Sequence, residues 1–240
     1  MSQERSEAIV LRGVDFSETS RIVTFLAPAR GKLACMALGA RRVKGGMGGA
    51  LDTLNRLELV YYWKDGRSVQ KLGEAALLDS YGSIKADLEK SLHAAFPLEL
   101  VYKVAHENEP SEALYASLVH GFEGLTAWRG DARTHTCWHV FHLLSVAGFG
   151  ISLEGCAECG QPVDVAAGFS YAGGVTCSRC RGDVRLAPED LATLETMAER
   201  TDACPRVAAS PRVLTLLKNY AARQLDTDFR SVRVIEETLG

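Results

Sequence analysis

Two C-x-x-C pairs constrain the fold of this chain more than any other feature of its sequence. Cys156 and Cys159 form the first pair, Cys177 and Cys180 form the second, and the stretch 160–176 separates them. This spacing is typical of zinc sites, in which two short turns bring four thiolates to one tetrahedral ion. Four cysteines leave no open position for water, so we predict one structural Zn²⁺, with a dithiol redox site or no metal as the alternatives.

Residues 1–80 have the pattern of short strands separated by turns. Strand candidates lie at 8–11, 21–26, 32–38, 57–63 and 69–72, and Asp65-Gly66 is a tight-turn signal between the last two. Along the fourth strand, Tyr61 and Trp63 should share one face while Tyr62 points to the other. Five short strands in this length are typical of an OB-fold β-barrel, which we assign to residues 1–80.

From residue 81 the apolar spacing becomes helical. Ile84, Leu88, Leu92 and Ala95 recur on one face, and Pro97 should bend or break that helix. Further helices are expected near 111–125, 132–147, 188 onward and 210–225. The predicted fold class is therefore α+β, with a helical domain at 81–240 that carries an inserted four-cysteine zinc finger at about 154–184, called the cysteine segment below.

Charge is divided unevenly between these two predicted domains. The whole chain has a net charge of −3, which by itself argues against a nucleic-acid binder. Residues 1–80, however, hold 12 Lys and Arg against 9 Asp and Glu, whereas the remainder holds 15 against 21. The N-terminal half thus carries +3 and the C-terminal half −6. This asymmetry points to a nucleic-acid surface on the barrel alone.

A glycine-rich basic loop at 39–49 supports this interpretation. Three cations on flexible backbone have no packing role, whereas contact with phosphates would explain them. Bases could stack on barrel aromatics, for which the candidates are Phe16, Phe25, Tyr61, Tyr62 and Trp63. The predicted DNA-binding residues are Arg12, Arg21, Lys32, Arg41, Arg42, Lys44 and Arg56. Beside the second cysteine pair, Arg179, Arg181 and Arg185 could extend this track.

The absence of known catalytic motifs argues against an enzyme. The sequence has no phosphate-binding glycine motif, so no nucleotide is expected, and no nucleophile elbow, so we expect a protein that is not an enzyme. His135, His139 and His142 could share a helix face, but without an H-E-x-x-H pattern we expect them to be exposed or hydrogen-bonded rather than ligands. The remaining cysteines are expected to be small buried residues: Cys35, Cys137 and Cys204.

No segment approaches the length of a membrane span, and the N-terminus has no signal-peptide pattern. We therefore expect a cytoplasmic protein with no membrane partner. Clustered cysteines in that compartment more often bind metal than form disulfides.

In the order of its motifs the chain resembles the RecO family of bacterial recombination mediators. The motifs are A-I-V-L-R at 8–12, E-T-S-R-I at 18–22, G-K-L at 31–33, G-A-R-R-V-K at 39–44, L-E-L-V-Y-Y at 57–62, L-L at 143–144 with Gly148, C-A-E-C-G at 156–160, F-S at 169–170 and G-G-V-T-C at 173–177. They cover nearly the whole chain. One departure is Leu54, near which family members often have an aromatic residue.

The resemblance implies binding to single- and double-stranded DNA, annealing of complementary strands, and association with the nucleoid. It also implies work with RecR, in some species RecF, to load RecA onto DNA covered by single-strand-binding protein (SSB). A zinc-ribbon adaptor with incidental DNA contact is the alternative. A zinc hydrolase or deaminase is disfavoured, because no histidine is followed by glutamate two positions later.

Overall fold

The computed structural model describes residues 1–42, 47–163 and 168–239. Five strands come first, followed by helices and one small two-stranded sheet. In chain order the elements are β1 (Ser2–Asp15), β2 (Arg21–Ala27), β3 (Gly31–Ala37), β4 (Arg56–Trp63), β5 (Val69–Asp79), α1 (Gly82–Lys85), α2 (Leu88–Val104), α3 (Glu112–Ala127), α4 (Ala132–Val146), β6 (Gly168–Ser170), β7 (Gly174–Thr176), α5 (Pro188–Glu199), α6 (Pro211–Leu225) and α7 (Arg230–Leu239).

The first five strands close into a barrel in the order β1-β2-β3-β5-β4. All pairs are antiparallel except β3 with β5, whose register aligns Cys35 with Gln70. This arrangement confirms the predicted α+β class with an N-terminal five-stranded OB-type barrel. Two strands are longer than their apolar runs suggested. β1 already pairs with β4 from Ser2, opposite Trp63, and β5 extends to Asp79.

Alternation along the strands fills the barrel interior. Along β3, every second residue from Gly31 to Ala37 is buried, and on β2 Val23 and Phe25 are completely buried. Tyr61 belongs to the core and Trp63 packs against it, whereas the neighbouring Tyr62 does not. The predicted division of the three consecutive aromatics between two faces is thereby confirmed. Cys35 is buried in the same core, as expected.

The chain forms two compact units, of which the first combines the barrel with a later segment. Unit 1 consists of Met1–Ala86 and Val101–His120. The backbone N–H of Lys32 donates to the carbonyl of His106 (2.9 Å), and that of Ser111 donates to the carbonyl of Pro28 (2.8 Å). Residues 101–120, which the sequence-based boundary at residue 80 places in the second domain, therefore pack against the barrel.

The second unit, Asp87–Leu100 with Gly121–Gly240, is helical. The helices predicted at 132–147, from 188 and at 210–225 are confirmed, with starts within one residue of those predicted, and the side chains of Asp131 and Ser210 cap two of them. Pro97 was expected to bend or break its helix; α2 continues through Pro97, which rules out the break. Proline leaves the carbonyl of His93, four residues earlier, without its helical donor, and the hydroxyl of Thr136 donates to it instead (3.4 Å).

The histidines of α4 were expected to be exposed or hydrogen-bonded, and the structure rules out exposure for two of them. His135 and His139 are buried, not exposed, because α3 presents glycines to them. A Cβ on Gly121 would overlap the His139 ring, and one on Gly124 would lie 2.8 Å from Nε2 of His135. The third histidine, His142, follows the prediction, since its Nε2 lies 2.9 Å from the carbonyl of Arg200. Two of the three histidines thus serve helix packing.

Burial of His93 gives the second unit a pH-dependent stability. Desolvation lowers its pKa to about 4, against 6.5 for an exposed histidine. Between these values the unfolded chain binds one more proton than the folded chain, so stability is lost as the pH falls from 6.5 toward 4. We expect a loss of about 3 kcal/mol over that range. Denaturant titrations at pH 7 and pH 4.5 measure this change in the free energy of unfolding. The variant His93→Gln has no titrating group at this position, so its free energy of unfolding should fall measurably less between the two pH values.

Candidate nucleic-acid surface and metal centre

The four cysteines of the two C-x-x-C pairs meet at one point. Their sulfur atoms all lie within 4.8 Å of one another, and the Sγ atoms of Cys159 and Cys177 are 3.9 Å apart. Sulfurs bound tetrahedrally at about 2.3 Å from an ion would be separated by about 3.8 Å. The donor set and its dimensions therefore fit one metal ion. Within the described ranges, this is the one group of His, Cys, Asp and Glu residues with such geometry.

Tight backbone turns produce this convergence. After Cys156 the chain turns back, so that the N–H of Gly160 donates to the carbonyl of Cys156 (2.8 Å). Gly160 has a φ of 70°, which explains the glycine at the end of the first pair. Gly182, after the second pair, has another reason, since a Cβ there would lie 2.5 Å from the carbonyl oxygen of Phe169.

Backbone donors make part of this cluster acidic. The N–H of Cys177 donates to the sulfur of Cys156 (3.4 Å) and helps to lower the pKa of that thiol to about 6. The N–H groups of Cys180 and Arg179 likewise lower the pKa of Cys177. Contacts with the sulfurs of Cys159 and Cys177, in contrast, raise the pKa of Cys180 to about 12. A divalent cation would stabilise all four thiolates together, so that Cys180 could lose its proton as Cys156 and Cys177 do.

The cysteine segment is also attached to the helical core. The ring of Phe169 is completely buried and packs edge-on against Tyr220 of α6, with 5.8 Å between ring centroids. From the same helix, the Asn219 amide donates to the hydroxyl of Tyr171 (3.2 Å) and the Gln224 amide to its carbonyl (2.9 Å). These anchors were not assigned from the sequence, although Phe169 and Tyr171 are the only aromatic residues between the two cysteine pairs.

A groove of about 1080 Å³ borders the second cysteine pair. It is lined by Arg181 and Arg185, which are exposed, and by Arg212. Arg212 is neutralised by Glu189 and Asp190, at 2.6 and 2.9 Å. Arg181 and Arg185 have no ion pair with any residue that the structure describes. The groove therefore offers two open guanidinium groups to an anion.

On the barrel, the predicted cations have different environments. Asp15, at the end of β1, pairs with Arg21 (3.2 Å) and Arg41 (3.4 Å). Arg41 also holds the β1–β2 hairpin, because its backbone N–H donates to the carbonyl of Thr19 (3.0 Å). No sequence motif identifies Asp15, yet its carboxylate brings together Arg21 at the start of β2 and Arg41 beyond the end of β3.

Arg12 and Lys32 meet around one tyrosine of unit 1. The Arg12 guanidinium donates to the hydroxyl of Tyr102 (3.4 Å), and Lys32 Nζ donates to its backbone carbonyl (3.1 Å). Both cations also lie near the Tyr102 ring, at 5.7 and 5.1 Å from its centroid. These contacts help to attach residues 101–120 to the barrel. No local pattern indicates them, since Tyr102 is distant from both cations along the chain.

Arg56 is engaged structurally as well. Its guanidinium binds the carboxylate of Glu7 at 2.8 Å, and the hydroxyl of Tyr115 donates to the same oxygen (3.0 Å). The hydrogen bond from Arg56 lowers the pKa of Glu7. Arg42, in contrast, is exposed and has no ion pair within the described ranges. Lys44, the last of the predicted cations, lies outside the described residues.

Comparison with known proteins places the chain in a family. The family model for the N-terminal domain of recombination protein O matches residues 1–81, and that for its C-terminal domain matches residues 85–233. The chain belongs to the RecO family. The two matched regions meet within a few residues of the end of β5, so the RecO N-terminal domain corresponds to the barrel.

Curated members of the RecO family align with almost the full chain. The DNA repair protein RecO of Thermobifida fusca is 30% identical over 98% of this chain and 99% of its own length. That of Streptomyces griseus is 29% identical over 99% and 100%. That of Anaeromyxobacter dehalogenans is 30% identical over 88% and 84%. The chain is therefore similar to these DNA repair proteins in both of its parts. Among the described helices, none is both long and apolar enough to span a bilayer.

Proposed function

We propose that this protein is a recombination mediator that binds single- and double-stranded DNA and anneals complementary strands. The observation that supports it most directly is the open cationic edge of the barrel. Arg41 and Arg42 are exposed next to the β1–β2 hairpin, where OB-folds commonly bind oligonucleotides. Asp15 fixes the position of Arg41 while leaving its side chain 44% exposed. A phosphate can therefore approach this edge.

Annealing requires little chemistry from the protein itself. Base pairing supplies the free energy, and the protein has to bring two polyanions together by neutralising phosphates. We propose that the barrel edge holds one backbone, and that Arg181 and Arg185 beside the cysteine cluster offer further phosphate contacts. On this proposal the protein is not an enzyme, and no step needs a nucleotide.

The metal of the cysteine cluster is proposed to be one Zn²⁺ with a structural role. Four sulfur donors at tetrahedral separation are the typical environment of structural zinc. Bound zinc would link the two C-x-x-C turns, and through β6 and β7 it would hold Arg181 and Arg185 in place. All four coordination positions are filled by protein, so the ion would not take part in a reaction.

The partners are proposed from family membership. We propose that RecR, with RecF in some species, acts with this protein on SSB-covered single strands, so that RecA can be loaded there. A DNA repair protein acts where the chromosome lies, so we also propose a cytoplasmic, nucleoid-associated location. The test is an annealing assay with complementary oligonucleotides, bare and coated with SSB. If the protein anneals neither the bare nor the SSB-coated oligonucleotides, the alternative of a zinc-ribbon adaptor is favoured.

The double variant Arg41→Ala/Arg42→Ala should weaken DNA binding about tenfold at 100 mM salt. Each lost phosphate contact should also reduce the slope of log K against log salt by about 0.7 to 0.9, so the expected change is between one and two. Fluorescence anisotropy across a salt series measures both quantities. The charge-matched control is Arg5→Ala/Arg67→Ala, which removes two exposed barrel arginines away from the hairpin. Equal slopes for both variants would place the DNA elsewhere.

A further inference from the structure

The outer surface of β1, β2 and β3 carries an apolar row that the barrel does not bury. Strand register aligns Val14 with Ile22 and Ile22 with Met36. Val14 is 47% exposed, and neither of the other two is buried. Beyond the row lies Phe16, which is 63% exposed at the β1–β2 hairpin. Single exposed apolar residues are ordinary, but four that lie together at one end of three strands form a surface.

The hairpin holds Phe16 in a defined position. Its backbone N–H donates to the carbonyl of Ser20 (3.0 Å), and that of Ser20 donates to the hydroxyl of Ser17 (3.2 Å). The bond from Arg41 to Thr19 ties the tip of the hairpin to the turn after β3. An aromatic ring on such a fixed backbone loses little conformational entropy when a ligand covers it.

A cation lies beside the hairpin that carries this ring, since a guanidinium nitrogen of Arg41 donates to the carbonyl of Ser17, the residue after Phe16 (3.4 Å). Arg21 and Arg41 are both paired with Asp15, the residue immediately before Phe16, and Arg42 follows directly. Over 12–21 and 38–42 the chain has four arginines and two acidic residues, which leaves a net charge of +2. A ligand that fits must therefore offer a flat apolar face and negative charges a short distance away. An unpaired nucleotide has both, in its base and its phosphate.

We propose that Phe16 is a stacking platform for an unpaired base, and that Arg41 and Arg42 hold the adjacent phosphates. A base inside a duplex is covered on both faces by its neighbours, so the ring discriminates single strands from duplexes, whereas the arginines bind both. This inference rests on the proposed DNA binding and adds to it a specificity-determining residue.

Substitutions at Phe16 test the proposal in the full-length protein. Affinities are measured for a 20-nucleotide oligo(dT) and for a 20-base-pair duplex at the same salt concentration. Phe16→Ala and Phe16→Leu should bind oligo(dT) about tenfold more weakly and the duplex within twofold of the wild type. Phe16→Trp, which keeps a ring, should retain affinity for oligo(dT). Leu78→Ala, which removes a half-exposed apolar side chain of β5 outside this row, is the matched control and should leave both affinities unchanged.

The remaining outcomes separate this inference from the function on which it rests. If the wild type binds neither DNA, the proposed function itself fails. If the wild type binds oligo(dT) and Phe16→Ala binds it equally well, only the stacking role is overturned. Retained oligo(dT) binding with loss of annealing on SSB-coated strands would assign the surface to a protein partner, and would also overturn the proposal. Because Phe16 is exposed, all of its variants should fold.

Discussion

The variant Cys177→Ser should lose the proposed zinc and the order of the cysteine segment. Binding of structural zinc contributes on the order of 10 kcal/mol to folding in isolated zinc fingers, far more than this small segment can gain from its own apolar contacts. Cys177 is buried and its sulfur is one of the four that converge. Wild-type protein should contain about one zinc per chain by elemental analysis, and the variant close to none. Limited proteolysis should cut the variant between residues 152 and 186.

Cys204→Ser is the matched control, because Cys204 is partly exposed and lies outside the cluster. It should keep its zinc and resist the protease as the wild type does. Wild-type protein that is purified without chelator and contains no zinc would refute the assignment. Retention of the helical signal in far-ultraviolet circular dichroism by Cys177→Ser would show that the loss is confined to the segment. A global loss of helix would instead mean that the segment supports the core of the second unit.

The features that were predicted correctly from the sequence rest on short-range signals. The C-x-x-C turns, the start of the helix at 210–225 and the Asp65-Gly66 turn each need only a few neighbouring residues. Strand alternation likewise identified Tyr61 as core without knowledge of its partners. These patterns were sufficient for the fold class and for the cysteine cluster, because local backbone geometry already restricts where the side chains point.

The features that were missed depend on contacts between distant residues. Pro97 stays within α2 because Thr136, on another helix, satisfies the carbonyl that proline frees. His135 and His139 are buried because α3 happens to present glycines. The predicted cations show the same limit, since Arg12 and Arg56 contact Tyr102 and Glu7 as well as solvent. Sequence pattern identifies a charge, but only the fold decides what neutralises it.

Some cations of the barrel have structural contacts, and this changes how its positive charge is interpreted. Three of its predicted DNA contacts, Arg12, Lys32 and Arg56, help to hold the barrel together with residues 101–120. Their removal would therefore affect stability as well as binding, so a loss of DNA affinity in those variants would not identify an interface. Arg41 and Arg42 are better probes, because one is held by a surface carboxylate and the other is open.

The attachment of residues 101–120 to the barrel has its own critical residue, Gly31. This residue is the first of β3 and has a φ of 60°, and isolated bridges connect it and Lys32 to Glu107. A Cβ at Gly31 would overlap the carbonyl oxygen of Glu109 and lie 2.7 Å from that of His106. Both obstacles are backbone atoms, which cannot rotate away as a flexible side chain would.

Gly31→Ala should therefore destabilise unit 1 by about 4 kcal/mol, the sum of left-handed backbone strain and overpacking. Gly66→Ala separates the two contributions, because Gly66 also has a positive φ of 74° but has no atom within 4 Å of an added Cβ. That control should lose only about 1 kcal/mol. Denaturant unfolding measures how much unfolding free energy each variant loses. Hydrogen exchange should show faster exchange of residues 101–112 in Gly31→Ala alone. Equal losses in the two variants would mean that the segment shifts easily and contributes little to the stability of the barrel.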